Sequence, residues 1–173
     1  MAAQEQAKRP VTALAGPYGH PLHPALVAVP IGAWVASFVF DVASHVVDSP
    51  GFLAQGSRWL IALGVLGALV AAVFGFLDFL AIPAGTRAHR IALVHMSVNL
   101  AVTVAYAIGF VWRADTTGGA VPVGPLALSA VALGALSGSG YLGGELAYRF
   151  GVRVADENTQ AQGYRAGQAT RSR

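Results

Sequence analysis

Residues 59–82 read WLIALGVLGALVAAVFGFLDFLAI, and Asp78 carries the only charge in this stretch. About 20 apolar residues in a helix cross the roughly 30 Å hydrocarbon core of a bilayer, so the stretch predicts a transmembrane helix. Three further apolar stretches of similar length lie at Ala25–Val47, Ile91–Trp112 and Val123–Tyr148. The sequence therefore predicts an all-α integral membrane bundle of four transmembrane helices.

The composition supports lipid as the main solvent. Hydrophobic residues make up 55% of the 173 residues and charged residues only 11%, roughly half the charged share of a soluble domain. The chain contains no cysteine, which excludes disulfides, iron–sulfur clusters and thiolate zinc sites. We expect the partners to be the lipid bilayer and either a membrane-complex subunit or a second copy of the chain, and no nucleic acid.

Short loops rich in proline and glycine separate the four stretches, which favours an up-down bundle. Basic residues gather on the side of the two termini, where nine of the eleven lie. This bias predicts that both termini are in the cytoplasm and that the protein lies in the inner membrane of a bacterium. The predicted domains are a mobile arm (1–16), the transmembrane domain (17–149) and a mobile basic tail (150–173). No internal repeat is evident.

Polar side chains occur at the cytoplasmic end of each predicted helix. Because successive helices alternate in direction, residues that begin the first and third helices lie at the same end as residues that end the second and fourth. Three imidazoles and two carboxylates from four helices resemble the inward-facing ligand sets of metal-binding bundles. The five side chains are His20, His23, Asp78, His95 and Glu145, and Asn99 lies one turn beyond His95.

These side chains predict a cation site for zinc or iron, with Asn99 as a supporting hydrogen-bonding group. Each also has a simpler interpretation. The histidines before the first helix can be interfacial residues of a proline-rich helix start. Asp78 can pair with Arg87 or Arg90, and Glu145 can pair with Arg149 one turn later.

The opposite end of the bundle holds a smaller polar pair, Asp41 and His45, which are four residues apart on the first helix. A spacing of four places two side chains on one helix face. No further polar cluster lies near them in the sequence, so we expect this outer pair to have a structural role.

Three functions remain compatible with these residues. The first is a redox-accessory or binding protein that holds the cation. The second is an electron-transfer protein with b-type haem bound axially by His23 and His95. The third is a cofactor-free structural or assembly subunit of a membrane complex. A transporter fits less well because paired broken helices are missing, and no nucleophile–base or phosphate-binding motif indicates an enzyme.

Three runs of the chain resemble a family of bacterial membrane proteins that is catalogued as a domain of unknown function: GHPLHPALVAVPIGAWVASFVFDV, FLDFLAIPAGTRAHRIALVHMSVN and GGELAYRFGVRV. The resemblance covers residues 18–155. It implies a small four-helix membrane domain that is sometimes found beside electron-transfer or iron–sulfur proteins, and it implies no established activity. Phe150 is a departure, since the family often has histidine there.

Overall fold

Four helices are long and apolar enough to cross a membrane in the computed structural model, which describes residues 2–16, 20–116 and 118–164. They are α2 (His23–Ala43), α3 (Gly51–Leu80), α4 (Arg87–Trp112) and α5 (Val123–Arg149), whose last turn, Glu145–Arg149, is a π-helix. Two short helices, α1 (Ala2–Lys8) and α6 (Glu157–Gln162), lie outside the spans. The predicted all-α fold with four membrane-spanning helices is confirmed, and no strand occurs in the described ranges.

Local sequence explains where these helices begin and end. Pro24 lies in the first turn of α2, where its fixed φ suits the helix and its missing N–H leaves no donor unpaired. Thr86 caps α4 by accepting a hydrogen bond from the backbone N–H of His89 at 3.1 Å, which satisfies one of the free donors of the first turn. Gly85 precedes it with a φ of 79°, a conformation that favours glycine.

The helices pack as two hairpins, α2 with α3 and α4 with α5, and contacts within each hairpin are more extensive than contacts between them. The centre of the bundle is formed by Trp34 of α2 and Tyr106 of α4, whose rings stack at a centroid distance of 4.2 Å and an angle of 7°. Both side chains are fully buried. Large apolar side chains cover the outside of the bundle, as expected where lipid is the solvent.

Gly64 of α3 allows the indole of Trp34 to lie against the helix backbone. A Cβ at this position would overlap the indole ring, so we expect Gly64→Ala to displace Trp34 from Tyr106 and to lower the free energy of unfolding by about 1–3 kcal/mol. Thermal unfolding in detergent measures the loss. Gly134→Ala is the matched control, because no atom lies within 4 Å of its added Cβ, and a similar loss in that variant would contradict the assignment.

The N-terminal arm and the segment that follows α5 meet at one end of the bundle, which we call the terminal end. The backbone N–H of Arg153 donates to the carbonyl of Ala7 at 3.0 Å, and Lys8 Nζ donates to Glu157 Oε1 at 2.9 Å. This hydrogen bond raises the pKa of Lys8 and lowers the pKa of Glu157. The ammonium–carboxylate pair is therefore intact at neutral pH; it weakens as acid protonates Glu157 and as alkali deprotonates Lys8.

Candidate functional site

Two histidines face each other across the bundle near the terminal end. His23 begins α2 and His95 lies in the third turn of α4, and their ring centroids are 6.5 Å apart with an interplanar angle of 88°. His23 Nδ1 lies 2.9 Å from the carbonyl oxygen of Ala71, and His95 Nδ1 lies 2.8 Å from that of Ser139. A carbonyl only accepts hydrogen bonds. Each Nδ1 therefore carries a proton when it makes this bond, and in a neutral ring Nε2 keeps its lone pair.

A glycine lies against each imidazole. A Cβ added to Gly75 of α3 would come within 2.9 Å of the His23 ring, and one added to Gly143 of α5 would come within 3.0 Å of the His95 ring. Separations this short exclude a side chain at either position unless the ring moves. Both rings are thus held by the neighbouring helix of their own hairpin, through a carbonyl and through a glycine one turn further on.

The two hairpins repeat the same contacts. The facing pairs His23–His95, Trp34–Tyr106 and Asp41–Arg113 are each formed by residues 72 positions apart. Trp34 Nε1 donates to the carbonyl of Ile61, and Tyr106 OH donates to that of Ser129, each at 3.4 Å. On α3 and α5 the equivalent positions are 68 apart: Ile61 and Ser129, Ala71 and Ser139, Gly75 and Gly143.

This repetition explains why the two histidines lie at the same depth. The helices α2 and α4 run in the same direction, because an antiparallel helix separates them in the chain. Residues at equivalent positions of the two helices therefore meet in one layer of the bundle. The histidine layer is identical in both hairpins, the central layer pairs two different aromatic rings, and the outer layer pairs opposite charges.

The surroundings of the two imidazoles differ. Asn99, one turn beyond His95, donates from Nδ2 to the carbonyl of His95 and to Ser139 Oγ, both at 2.9 Å. The same amide nitrogen lies 3.2 Å from His95 Nε2. On the other side, Asp78 lies one turn beyond Gly75, the glycine that lies against the His23 ring. His95 is thus held by a network of neutral polar groups, whereas His23 lies beside a carboxylate.

The remaining residues of the predicted cation site have other partners. Asp78 pairs with Arg153 (Nε to Oδ1, 2.8 Å) and not with Arg87 or Arg90, and Glu145 Oε1 lies 3.3 Å from both Arg87 and Arg149. His20 is exposed. Within residues 2–16, 20–116 and 118–164, no three histidine or acidic side chains are grouped closely enough to hold a metal ion. The structure therefore brings together His23 and His95, with Asp78 and Asn99 beside them, and leaves His20 and Glu145 outside.

At the other end of the bundle, Asp41 is fully buried and pairs with Arg113 at 2.5 Å. Ser57 donates to the second oxygen of Asp41. Arg113 also donates to Ser129 Oγ at 2.9 Å and to the carbonyl of Pro125 at 3.1 Å. His45 is exposed, so the outer polar group consists of Asp41, Arg113 and serines and does not include this histidine.

Residues 19–156 match the family described as "Predicted membrane protein (DUF2231)". The chain belongs to this family. The match to DUF2231 spans all four transmembrane helices and both facing histidines. It confirms the resemblance seen in the sequence. Together with the four apolar helices it shows that this is a multi-pass membrane protein. No match to a curated protein or to a solved structure was found.

Within the DUF2231 match, Phe150 stands where the resemblance led us to expect a histidine. Its ring packs against the hydrophobic cluster of Ile82, Ala92 and Leu146, and the guanidinium of Arg87 lies 5.7 Å from its centroid. Position 150 therefore contributes an apolar contact to the terminal end of this chain.

Arg113 and Arg153 were not predicted as site residues from the sequence. They entered the sequence analysis only in the count of basic residues that predicts the orientation. Each pairs with a buried aspartate more than 70 positions away. The one available signal was that a carboxylate inside a membrane span needs a cationic partner or a proton. That signal identifies the aspartates and leaves the choice among eleven basic residues open.

Proposed function

We propose that this membrane protein carries b-type haem between its two hairpins, with His23 and His95 as the axial ligands, and that it transfers electrons. The observation that carries the proposal is the pair of facing imidazoles, each fixed through Nδ1 to a backbone carbonyl. Histidines that bind metals commonly donate their second ring N–H to a carbonyl or carboxylate, which fixes the tautomer and the ring orientation.

The separation of the rings supports ligands on opposite sides of one metal. With metal–nitrogen bonds of about 2 Å, two imidazoles in trans have centroids about 6.3 Å apart, and two imidazoles in a tetrahedral site have centroids about 5 Å apart. The observed 6.5 Å fits the trans arrangement. Haem iron with two axial histidines has this geometry.

A free zinc or iron ion fits the site less well. Structural and catalytic zinc sites use three or four protein ligands, and the carboxylates predicted to complete the set, Asp78 and Glu145, are each paired with arginine. Haem brings four nitrogen ligands of its own, so it needs only the two that this chain presents. The site thus favours haem over the cation that the sequence analysis placed first.

The plane midway between His23 and His95 lies between the hairpins, where contacts are less extensive than within each hairpin. A flat group bound there would part the hairpins and leave the contacts within each of them in place. Haem held by His23 and His95 would supply one-electron chemistry, and with both ligand positions taken by the protein it would favour electron transfer over catalysis. We place the protein in the inner membrane of a bacterium with the terminal end in the cytoplasm, because that end carries most of the basic residues.

The test is the haem content of protein expressed with added haem precursor and purified in detergent. We expect a Soret band and about one haem per chain by the pyridine haemochrome assay, because the bundle has one layer of facing histidines. A monodisperse, helical sample without a Soret band after reconstitution with haemin would overturn the proposal. Elemental analysis of the same sample separates haem iron from a directly bound ion.

A cofactor-free assembly subunit is the second candidate, and it is favoured by the outer polar group. There the charges of Asp41 and Arg113 neutralise each other and serine hydroxyls add hydrogen bonds, so this group needs no ligand. If the histidine layer also only stabilises the bundle, the wild-type protein binds neither haem nor metal. The His95→Ala variant then has a lower melting temperature than the wild type.

A further inference from the structure

An open groove borders the last turns of α5 at the terminal end of the bundle. It has a volume of about 510 Å³ and is lined by Tyr141, Gly144, Glu145, Tyr148 and Arg149. Both tyrosines are exposed, and both belong to a helix long and apolar enough to cross the membrane. Tyrosine is enriched where a span passes from hydrocarbon to water, because its ring is apolar and its hydroxyl is polar. The groove therefore lies at the level of the lipid head groups.

Two arginines from different helices meet beside this groove. Arg149 ends α5 and Arg87 begins α4, and a nitrogen of each lies 3.3 Å from the same oxygen, Glu145 Oε1. Their guanidiniums also lie 6.0 Å and 5.7 Å from the centroid of the Phe150 ring, within the range of cation–π attraction. A shared carboxylate and a shared ring thus hold the two cationic side chains close together.

This group of side chains has unused capacity to bind an anion. The carboxylate of Glu145 neutralises only one of the two guanidiniums, so one positive charge remains. The side chains of Arg87 and Arg149 are 60% and 63% exposed, whereas that of Glu145 is 12% exposed. A guanidinium has five N–H donors, of which the bond to Glu145 takes one, and its fork matches the oxygens of a phosphate. The exposed donors therefore suit a phosphate group.

The lipid-facing side of α5 continues from the groove toward the middle of the bilayer. Gly134, Gly138 and Tyr141 follow each other at spacings of four and three residues, which place them on one helix face, and all three are exposed. Within the described part of the chain, no atom lies within 4 Å of a Cβ added at either glycine. The face is therefore open, and the missing side chains leave a shallow channel along which an acyl chain can lie.

We propose that the groove binds one anionic phospholipid, whose phosphate lies on Arg87 and Arg149 and whose acyl chain follows the open face of α5. The single remaining positive charge complements a head group with one net negative charge. A zwitterionic head group also carries an ammonium group, which the arginines repel. A soluble acidic protein or a free phosphate could reach the arginines but would not contact the face within the hydrocarbon. The inference goes beyond the proposed function, because it concerns a second ligand at a different surface.

The test is native mass spectrometry of the full chain in a non-ionic detergent. The protein is titrated with palmitoyl-oleoyl phosphatidylglycerol and, separately, with phosphatidylcholine that has the same acyl chains. We expect one phosphatidylglycerol per chain, bound at a lower lipid concentration than phosphatidylcholine. Arg87→Gln and Arg149→Gln each weaken the binding of phosphatidylglycerol by about five-fold, and the double variant weakens it by about thirty-fold.

Arg90→Gln is the matched control. Arg90 is exposed one turn after Arg87, and the residues that line the groove do not include it. The variant removes the same charge from the same end of α4, so its affinity for phosphatidylglycerol stays at the wild-type value. Equal losses in Arg90→Gln and Arg149→Gln would show diffuse attraction to the basic end and would overturn the proposal.

Three further outcomes would also overturn the proposed lipid site, and each identifies a different explanation. Equal affinity of the wild type for the two lipids indicates ordinary solvation by lipid. Displacement of phosphatidylglycerol by inorganic phosphate at the same concentration indicates a simple anion site. A dimer that carries no lipid, seen in the same spectra, indicates that a second copy covers this face. A missing Soret band would overturn the haem proposal and leave all of these measurements unaffected.

Discussion

Asp41→Ala is expected to cost about 3–5 kcal/mol of stability, because it leaves the guanidinium of Arg113 buried without its counter-ion. Both side chains are within 1% of complete burial, and the surrounding serines and carbonyls cannot neutralise the charge. For a chain of this length the loss corresponds to a fall of about 10 °C in the melting temperature. Thermal unfolding in detergent, followed by size-exclusion chromatography or tryptophan fluorescence, measures it.

The double variant Asp41→Ala with Arg113→Met shows whether the unpaired charge is the cause. Removing both charges takes away the unfavourable buried group, so most of the lost stability returns. Glu157→Ala, which removes the exposed carboxylate that pairs with Lys8, is the control and leaves the melting temperature unchanged. An Asp41→Ala protein as stable as the wild type, or a double variant no better than the single one, would contradict the structural role of this pair.

His95→Ala and His23→Ala are each expected to reduce bound haem below about one tenth of the wild-type amount, because each removes one of two axial ligands. His95 is held by Ser139 and Asn99 and His23 by Ala71, and no other histidine of the described ranges faces this layer. The pyridine haemochrome assay on equal amounts of monodisperse protein measures the loss.

His45→Ala is the matched control for the histidine variants, because His45 is exposed and lies at the other end of the bundle. It keeps the wild-type haem content. Full haem in His95→Ala, or equal loss in all three variants, would show that His23 and His95 are not the ligands. Added imidazole that restores a six-coordinate spectrum in a partly loaded variant would support the assignment further.

Hydropathy was sufficient to predict the four-helix fold, since the cost of exposing apolar side chains or unpaired backbone groups leaves few alternatives. It indicates less about where a helix begins. The apolar run of the second span starts at Trp59, yet α3 starts at Gly51, because Ser57 bonds to Asp41 and Arg58 lies over the ring of Phe110. Hydropathy detects residues that suit hydrocarbon, whereas a helix continues wherever its polar side chains find partners.

The sequence also indicated that His23, Asp78 and His95 belong to one end of the bundle, because depth follows from position along each span. It did not indicate which groups make contact. Arg153 approaches Asp78 from the polar segment after α5, and the two residues share no helix and no periodic pattern. Such a pairing depends on the path of the chain after the last span, which composition does not describe.

The repeat between the hairpins was missed for a physical reason. Equivalent positions are 72 residues apart on α2 and α4 and 68 apart on α3 and α5, a difference close to one helical turn. Two of the three layers also differ in chemistry, since Trp34 corresponds to Tyr106 and Asp41 corresponds to Arg113. Only a few equivalent positions, such as His23 and His95, keep the same residue, so the repeat becomes apparent only from the contacts.

The central claim, that His23 and His95 bind one haem iron from opposite sides, is tested most directly by low-temperature electron paramagnetic resonance of the oxidised, haem-loaded protein. The rings lie at 88° to each other, so the account predicts a low-spin ferric signal with the strong anisotropy of two near-perpendicular imidazole planes. A high-spin signal, or a low-spin signal that persists unchanged in His95→Ala, would contradict it.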